Sequence, residues 1–512
     1  MSTACGSKEA TIADRVVNEE VVVAGGGPVG LMLAAELRLA GVSVTVLERE
    51  PAPRSLPMVR GIHARTLETL ECRGLLEEFR SRGRTQNRAH YAGMWLLDLT
   101  DLPTRHAYSL GIEQGHVIDI LSRRAEGLGA RILPGHEVSS VVQDDHGVTA
   151  GVNGPGGSHS LRCRFLIGCD GGRSLVRSQA GIGFPGSAPS VTGLIAAATV
   201  SPPDALPTGW HRLSGGVLVN GGGPSALADH TIGTFEFDRT PTDRGVAPTA
   251  DEVRHSIRRV TGSEVTIDVL HWIIRFTDNT RQADRYRLGR VLVAGDAAHV
   301  HFPAGGQGLN LGLQDAVNLG WKLAAVVRGH ATTELLDTYH RERHPVAARV
   351  LDNTRAQIQL MRPGHDTDTL RDVVAALAST RQGGRRLAEQ ITGLDITCPV
   401  PTETPHPLVG RYVPHLTLGT AAQPTSPAEL LRTGRFLLID LADRGDRRAL
   451  ARRWGDRLTT VSATPPEEAD HAADAILVRP DGYIAWATDT PENEPGSFSR
   501  ALTTWAGPPG TP

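Results

Sequence analysis

Lysine is nearly absent from this 512-residue chain: Lys8 and Lys322 are the only two, so arginine carries almost all of the 53 basic charges. Against 56 acidic residues the net charge is −3, which removes any electrostatic reason to expect nucleic acid or an anionic membrane as partner. Cysteine is sparse and scattered. Cys5, Cys72, Cys163, Cys169 and Cys398 form no CxxC and no zinc-like spacing, which predicts a reduced protein without structural disulfides or a bound metal. Long hydrophobic runs are missing as well. The longest uncharged apolar stretch, Val21–Ala35, is interrupted by four glycines and Pro28 and is too short to span a bilayer. Met1–Glu20 has no apolar core and carries acidic residues, so no secretory signal is expected and a cytoplasmic location is. What remains, 40% apolar and 21% charged residues, fits an ordinary globular protein, and the length predicts two or three domains rather than one core.

Three distant segments ask for the same ligand. In Val21–Gly30 (VVVAGGGPVG) an apolar strand runs into Gly25-x-Gly27-x-x-Gly30 and an apolar helix, with Glu48 closing the next strand, Val42–Leu47. Gly25 allows the tight turn, Gly27 lets backbone N–H groups approach a pyrophosphate, and Gly30 lets helix and strand pack closely. The helix N-terminus adds partial positive charge for the phosphates. Glu48 lies 18 residues after Gly30, where a carboxylate accepts hydrogen bonds from ribose hydroxyls and repels a 2′-phosphate. FAD or NAD fits this site and NADP does not. Alone, such a fingerprint is compatible with any nucleotide-binding Rossmann unit. The third segment, Val291–Asn310 (VLVAGDAAHVHFPAGGQGLN), narrows it to FAD. Asp296 at a strand end suits ribityl hydroxyls, and after Pro303 a glycine-rich approach ends at Gly308. The helix Leu309–Val327 follows, with the N–H groups of Leu309 and Asn310 facing an isoalloxazine. The middle segment, Phe165–Arg177 (FLIGCDGGRSLVR), delivers Asp170 from a strand. His299 and His301 have no third ligand in the sequence and are expected to be hydrogen-bonded core residues, not a metal site.

The remaining pattern predicts an α/β protein: a Rossmann-like FAD-binding domain with an inserted β-rich substrate domain and a C-terminal domain. The expected boundaries are a disordered tail at 1–19, a discontinuous FAD-binding domain at 20–181 and 286–396, a substrate domain at 182–285, and a last unit at 407–512. Helical patterning covers Ala64–Arg80, Val117–Leu128, Ala250–Thr261 and Leu335–Leu360, and Val217–Pro224 reads as a Gly/Pro-rich turn. A Pro/Thr-rich linker is expected near Thr397–Pro407. Beyond it come strands at Phe436–Leu441, Leu458–Ala463, Ile476–Val478 and Tyr483–Trp486, the last two joined by the hairpin turn Arg479-Pro480-Asp481-Gly482. The Tyr339–Pro345 charge cluster reads as a structural helix network.

These three signatures resemble those of the single-component (class A) FAD-dependent aromatic hydroxylases, in particular the polyketide and rifamycin monooxygenase branch with a C-terminal thioredoxin-like domain. The resemblance runs from Glu20 to about Trp505, and it includes Arg60-Gly61-Ile62-His63-Ala64-Arg65-Thr66 and Leu477-Val478-Arg479-Pro480-Asp481-Gly482. It implies that Gly25, Gly27, Pro28 and Gly30 hold the pyrophosphate and that Glu48, with Arg49 beside it, holds the adenosine ribose. Arg60 lies by the flavin as the one catalytic candidate, Gln114 by the ribityl chain, and the backbone of Val138 by the adenine. Asp170, Gly171 and Arg177 form the motif linked to FAD and to transient NADPH or NADH. Asp296, Pro303, Gly308, Leu309 and Asn310 hold ribityl chain and isoalloxazine. The implied activity is hydroxylation of a phenolic, polyketide-derived substrate by NAD(P)H and O2 through a flavin C4a-hydroperoxide, in a monomer or homodimer. Baeyer–Villiger oxygenation, inactivation of a rifamycin-type antibiotic, and a non-catalytic flavin-binding role are the alternatives. Val59 and Ile118 depart from the family pattern beside Arg60 and Gln114. A flavin halogenase is excluded: no two tryptophans stand two apart, and neither lysine is suitably placed.

Overall fold

The computed structural model describes residues 17–52, 58–222, 230–240, 246–400, 406–420, 423–464, 473–489 and 494–510. The expected tail at 1–19 lies almost wholly outside them, as does the middle of the expected linker. Strand β1 (Val17–Ala24) leads into helix α1 (Pro28–Leu39), which begins on Gly27 with Pro28 at its first position and ends before strand β2 (Val44–Glu48). β1 is the centre of an eight-stranded sheet, flanked in parallel by β2 and by Gly157–Gly168; Val291–Val293 and Arg131–Pro134 extend the parallel set outward. Val21, Val22 and Val23 are fully buried because both faces of this sheet are covered, the expected fate of a continuous apolar run in a parallel sheet. Against one face pack α1 and the long helix Gln307–Val327, whose glycines permit close approach. A Cβ at Gly312 would meet the Val29 side chain, and one at Gly320 would meet Glu36.

The inserted unit is a five-stranded antiparallel sheet in the order Gly209–Leu213, Gly216–Gly222, His230–Phe237, Val191–Ser201, Thr266–Thr277. Its alternation sorts side chains between two cores. Leu218, Ile232 and Ala196 pack with Val253, Ile257 and Val260 of the helix Ala250–Thr261. Val217, Phe235 and Val191 face Phe302 and the hairpin Arg88–Tyr91/Met94–Asp98 instead. The helix has the bounds expected from the sequence because its signals are local: Thr249 accepts from the Glu252 N–H at the start, and Gly262 adopts φ 76° at the end.

Three expectations change, and three helices add to the pattern. Val217–Pro224 is not a turn over its described part but belongs to the strand Gly216–Gly222, since Val217 and Leu218 each reach a core. The Ala64–Arg80 helix breaks into Ala64–Glu71 and Leu76–Ser81, separated at Gly74, whose φ is 69°. The long helix starts at Gln307 rather than Leu309, because Gly305 and Gly306, at φ 70° and 63°, finish the turn earlier. Helices His365–Ser379, Arg381–Thr392 and Glu494–Ala506 were not anticipated.

The C-terminal unit is a four-stranded sheet ordered Leu458–Ser462, Phe436–Asp440, Ala475–Val478, Ile484–Thr488, with the first pair parallel and the others antiparallel. Buried charges fasten it to the rest. Arg479 donates to both carboxylate oxygens of Glu342, at 2.9 and 2.8 Å, and Lys322 sits 2.9 Å from Glu342. Arg73 bridges Glu36 and the Pro480 carbonyl. No helix among the described residues is long and apolar enough to cross a membrane.

Candidate active site

The parallel strands end together, so the three motifs meet along one edge. Ala24 is in register with Leu47 on one side and Gly168 on the other, and Gly168 with Val293. The next residues onward are Gly25, Glu48, Cys169–Asp170 and Ala294–Asp296, at the carboxyl edge where α/β sheets place ligands. Gly25 has φ 109°, and a Cβ there would run into the Cys169 carbonyl. A Cβ at Gly30 would strike the Gly25 carbonyl, whereas one at Gly27 would meet nothing within 4 Å. Two of the glycines are therefore required by the protein itself, and the third leaves open space. α1 begins at that space with no side-chain cap, so its first N–H groups are left for a ligand.

Glu48 is held by the backbone: Oε2 accepts from Gly26 N at 2.7 Å and Oε1 from Glu50 N at 2.9 Å. Each oxygen keeps acceptor capacity for a hydroxyl. Arg49 points outward, with 63% of its side chain exposed and its Nε 3.6 Å from Glu50. The turn leading to Val138 is pinned beside Glu48 by the His136 N–H, which donates to the Glu48 carbonyl at 2.9 Å; the Val138 side chain is buried.

At the other end Arg60, on strand β3 (Val59–Ile62), donates from Nε to Gln114 Oε1 at 2.8 Å. Burial pushes the Arg60 pKa down while the charge of Asp296 pushes it back up, which places these three residues in one electrostatic neighbourhood. Asp296 itself is exposed toward the cleft. Asn310 locks β3 to the glycine loop: its Oδ1 accepts from His63 N at 2.8 Å, and its Nδ2 donates to the carbonyls of Gly61 at 2.8 Å and Gly306 at 3.0 Å. His63 adds a ring contact of 2.8 Å to the Gly305 carbonyl. The side chain of Asn310 is thus used within the protein, leaving its backbone and those of Gly308 and Leu309, in the first turn of the helix after Pro303, to face a ligand. Burial holds the His63 pKa below its ordinary value, so the ring is neutral.

In the central motif, Asp170 Oδ2 accepts from Val176 N at 3.1 Å, and Gly171 has φ 82°. Arg177 donates to the carbonyls of Ala297 at 2.8 Å and Gly172 at 3.1 Å and stacks 3.6 Å over Phe184, which ties the Asp170 loop to the Asp296 loop. Asp170 Oδ1 and His301 Nε2 are buried with no partner in the protein. Buried polar atoms without partners are rare in folded proteins. Together with the uncapped helix and the void at Gly27, they fit an elongated polar dinucleotide such as FAD.

Beside Asp296 opens a cleft of about 990 Å³, lined by Arg173, Arg177, Phe276, Val300 and His301 among others. Behind Phe276 the rings of Phe235, Phe302 and Trp210 pack into a buried cluster, with centroids 5.3 to 5.8 Å apart. A separate, mostly apolar cavity of about 1030 Å³ lies among Leu360, Leu370, Val374 and Leu387 and includes none of the predicted site residues. His299 does not join His301: its Nε2 is 2.6 Å from Asp315, while His301 Nδ1 is 2.7 Å from the Phe302 carbonyl. Among the described residues no group of three or more His, Cys, Asp or Glu side chains is placed to hold a metal. The sequence reading gave no role to His63; its only sign was proximity to Arg60.

Residues 18–354 match the model of the FAD-binding domain family, and residues 406–509 match that of the aromatic-ring hydroxylase C-terminal family. The chain is 42% identical over 510 residues to a 12-dehydrotetracycline 5-monooxygenase/anhydrotetracycline 6-monooxygenase of Streptomyces rimosus subsp. rimosus, covering 96% of this chain and 99% of the relative. It is 39% identical over 495 residues to a dialkyldecalin synthase of Streptomyces rugosporus, covering 96% and 100%. The solved structure of an anhydrotetracycline hydroxylase from Streptomyces rimosus superposes with a TM-score of 0.89 at 40% identity, covering 96% of this chain and 100% of that one.

Proposed function

The chain belongs to the FAD-dependent aromatic-ring hydroxylases, and from that premise we propose that it is an NAD(P)H- and O2-using monooxygenase that hydroxylates a phenolic ring of a multi-ring polyketide. The observation that carries this reading is the meeting of the open Gly27 loop, Glu48, Asp170, Asp296 and the uncapped start of the Gln307–Val327 helix along one sheet edge, beside a cleft of about 990 Å³. Bound FAD supplies electron transfer from the nicotinamide and activation of O2. Gly25 to Gly30 and Glu48 hold its adenosine diphosphate half. Arg60, Gln114 and Asp296 hold the ribityl side, and the first turn after Pro303 presents N–H groups to the ring. Arg60 steadies negative charge near the flavin, and the cleft beside Asp296 orients the substrate and keeps water out. Residues 20–181 with 286–396 form the cofactor domain, 182–285 the substrate side, and 407–512 a thioredoxin-like unit without CxxC. Its buried ion pairs with Glu342 support a docking role.

The test is direct. Purified protein is expected to be yellow, to oxidise NADPH or NADH faster when anhydrotetracycline is added, and to yield a product heavier by one oxygen atom by mass spectrometry. Protein that stays colourless after incubation with FAD sinks the proposal. The kinship with a dialkyldecalin synthase supports a second reading, in which FAD is bound but no redox turnover occurs. Tight FAD binding with NAD(P)H oxidation indifferent to every multi-ring phenol offered would favour it.

A further inference from the structure

The helix His365–Ser379 stands almost bare: of its 15 residues only Ala378 is buried. Helices of this length are marginal in water alone, and in proteins they owe their stability to the packing of an apolar face. Here that face is present but uncovered. Leu370, Val373 and Leu377 are each about half exposed or more, and Val374 lies beside them. Three, four and seven positions apart, these residues share one side of the helix. Leu370, Val374 and Leu377 also line the apolar groove of about 1030 Å³, whose other flanks are Leu360 of the helix Glu334–Met361 and Leu387 of the helix Arg381–Thr392. Contiguous exposed apolar surface of this kind marks an interaction site.

The charges around the groove select its occupant. Asp366, Asp368 and Asp372 make the first helix acidic, and Arg381, Arg385 and Arg386 make the start of the second basic. Most of these are engaged within the chain: Asp368 with Arg212, Arg385 with Glu389 at 2.8 Å, and Arg386 with Asp395 at 3.6 Å. Asp366 makes no ion pair among the described residues, and Arg381 meets Asp101 at 3.0 Å with its side chain still 82% exposed. The aspartates would repel an anionic membrane, and an apolar small molecule has no use for opposite charges at opposite ends. A second copy of the chain, laid antiparallel, uses both. A twofold axis midway between Leu370 and Leu377 sets Leu370 against the partner's Leu377 and Val373 against the partner's Val374. It also brings Asp366 level with the partner's Arg381, and symmetry repeats each pair. Thr380 both ends the first helix and caps the second, so the acidic start of each bare helix meets the basic corner of its partner.

We propose that the chain forms a twofold dimer through this face, with each His365–Ser379 helix lying antiparallel in the groove of the other copy. An isologous contact of this kind closes on itself, so association stops at two. None of these residues belongs to the cofactor loops, so the dimer goes beyond the oxygenase reading and does not depend on it.

Sedimentation velocity on the full-length, FAD-loaded protein over a dilution series gives the dimer Kd. Wild type is expected to be dimeric in the micromolar range. L377E, which puts a carboxylate into the apolar contact of both copies, is expected to raise Kd at least about a hundredfold. D366R and R381D each set like charges level with one another twice per dimer and are expected to raise it at least about tenfold. The double variant D366R/R381D restores opposite charges and is expected to recover most of that loss. FAD content stays at the wild-type value throughout, which shows that each variant is folded. A wild-type protein that is monomeric at every concentration overturns the proposal, and so does a dimer that L377E leaves intact, since the contact would then lie elsewhere. A double variant as weak as either single one overturns the antiparallel register. A monomer whose groove takes up anilinonaphthalene sulfonate, with the fluorescence lost in L377E, assigns the face to an apolar small molecule and overturns the dimer.

Discussion

Glu342→Gln tests how the C-terminal unit is held. The carboxylate is 2% exposed and lies between two buried cations, Arg479 at 2.8 Å and Lys322 at 2.9 Å, with Asp481 as the second anion of the cluster. Asn318 donates to Glu342 at 2.7 Å and accepts from Lys322 at 2.9 Å, so the group is saturated and neutral. Burial alone would raise the Glu342 pKa, but Arg479 and Lys322 outweigh it and drive the carboxyl well below its ordinary value. Glutamine keeps the shape and removes the charge, leaving one buried cation in excess. Breaking one partner of a buried ion pair costs about 3–5 kcal/mol, which lowers the melting temperature by roughly 3–5 °C in a protein of this size. The midpoint is read by intrinsic fluorescence, with limited proteolysis following early release of the 406–510 unit. Adding Lys322→Met restores neutrality, since Arg479 still pairs with Asp481, and is expected to recover most of the loss. A melting temperature within a degree of wild type, or a double variant no better than E342Q, refutes the reasoning. The pH dependence has a definite sign. A carboxyl depressed in the folded state contributes stability that is complete above its unfolded value, near 4.5, and is lost progressively as the pH falls below it.

Other outcomes follow from the cofactor loops. Gly27→Val is expected to leave the apoprotein's melting temperature unchanged, because nothing lies within 4 Å of that Cβ, yet to abolish FAD uptake in a flavin titration; Gly30→Ala, whose methyl would strike the Gly25 carbonyl, should destabilise the apoprotein itself. Glu48→Ala releases the N–H groups of Gly26 and Glu50 and is expected to weaken FAD binding at least about tenfold; unchanged affinity would remove Glu48 from the ribose site. Asn310→Ala loses three hydrogen bonds and leaves the His63 N–H unpaired, at a cost of roughly 1–3 kcal/mol, and should loosen the loop enough to raise H2O2 release at constant FAD content.

What the sequence made legible shares one property: its determinants are close together along the chain. The glycine fingerprint, the Asp at each strand end and the Thr249 and Gly262 caps are each written within a few residues. What it concealed depends on partners far away. His63 looks like an ordinary polar residue until the fold sets it against Gly305 and Asn310, more than 240 positions on. The helix His365–Ser379 lacked a usable apolar stripe because it buries little, and Leu370, Val373 and Leu377 stay exposed at 49%, 52% and 63%. The charge cluster at Tyr339–Pro345 was read as a helix network, and its partners are long-range. Glu342 pairs with Arg479, 137 positions away, and Arg343 reaches Asp315 at 2.7 Å, the carboxylate that also meets His299 beside the Asp296 loop. Adjacent residues of one helix thus face opposite tasks: Glu342 fastens the C-terminal unit, and Arg343 braces the loop that carries Asp296. If that arrangement transmits strain, E342Q will lower FAD affinity as well as the melting temperature; if the two contacts are independent, FAD affinity will stay at the wild-type value while the C-terminal unit loosens. Arg343 is fully buried and its pKa is raised by Asp315 against the pull of burial, so its position is set by Asp315 rather than by its neighbour. That favours the second result.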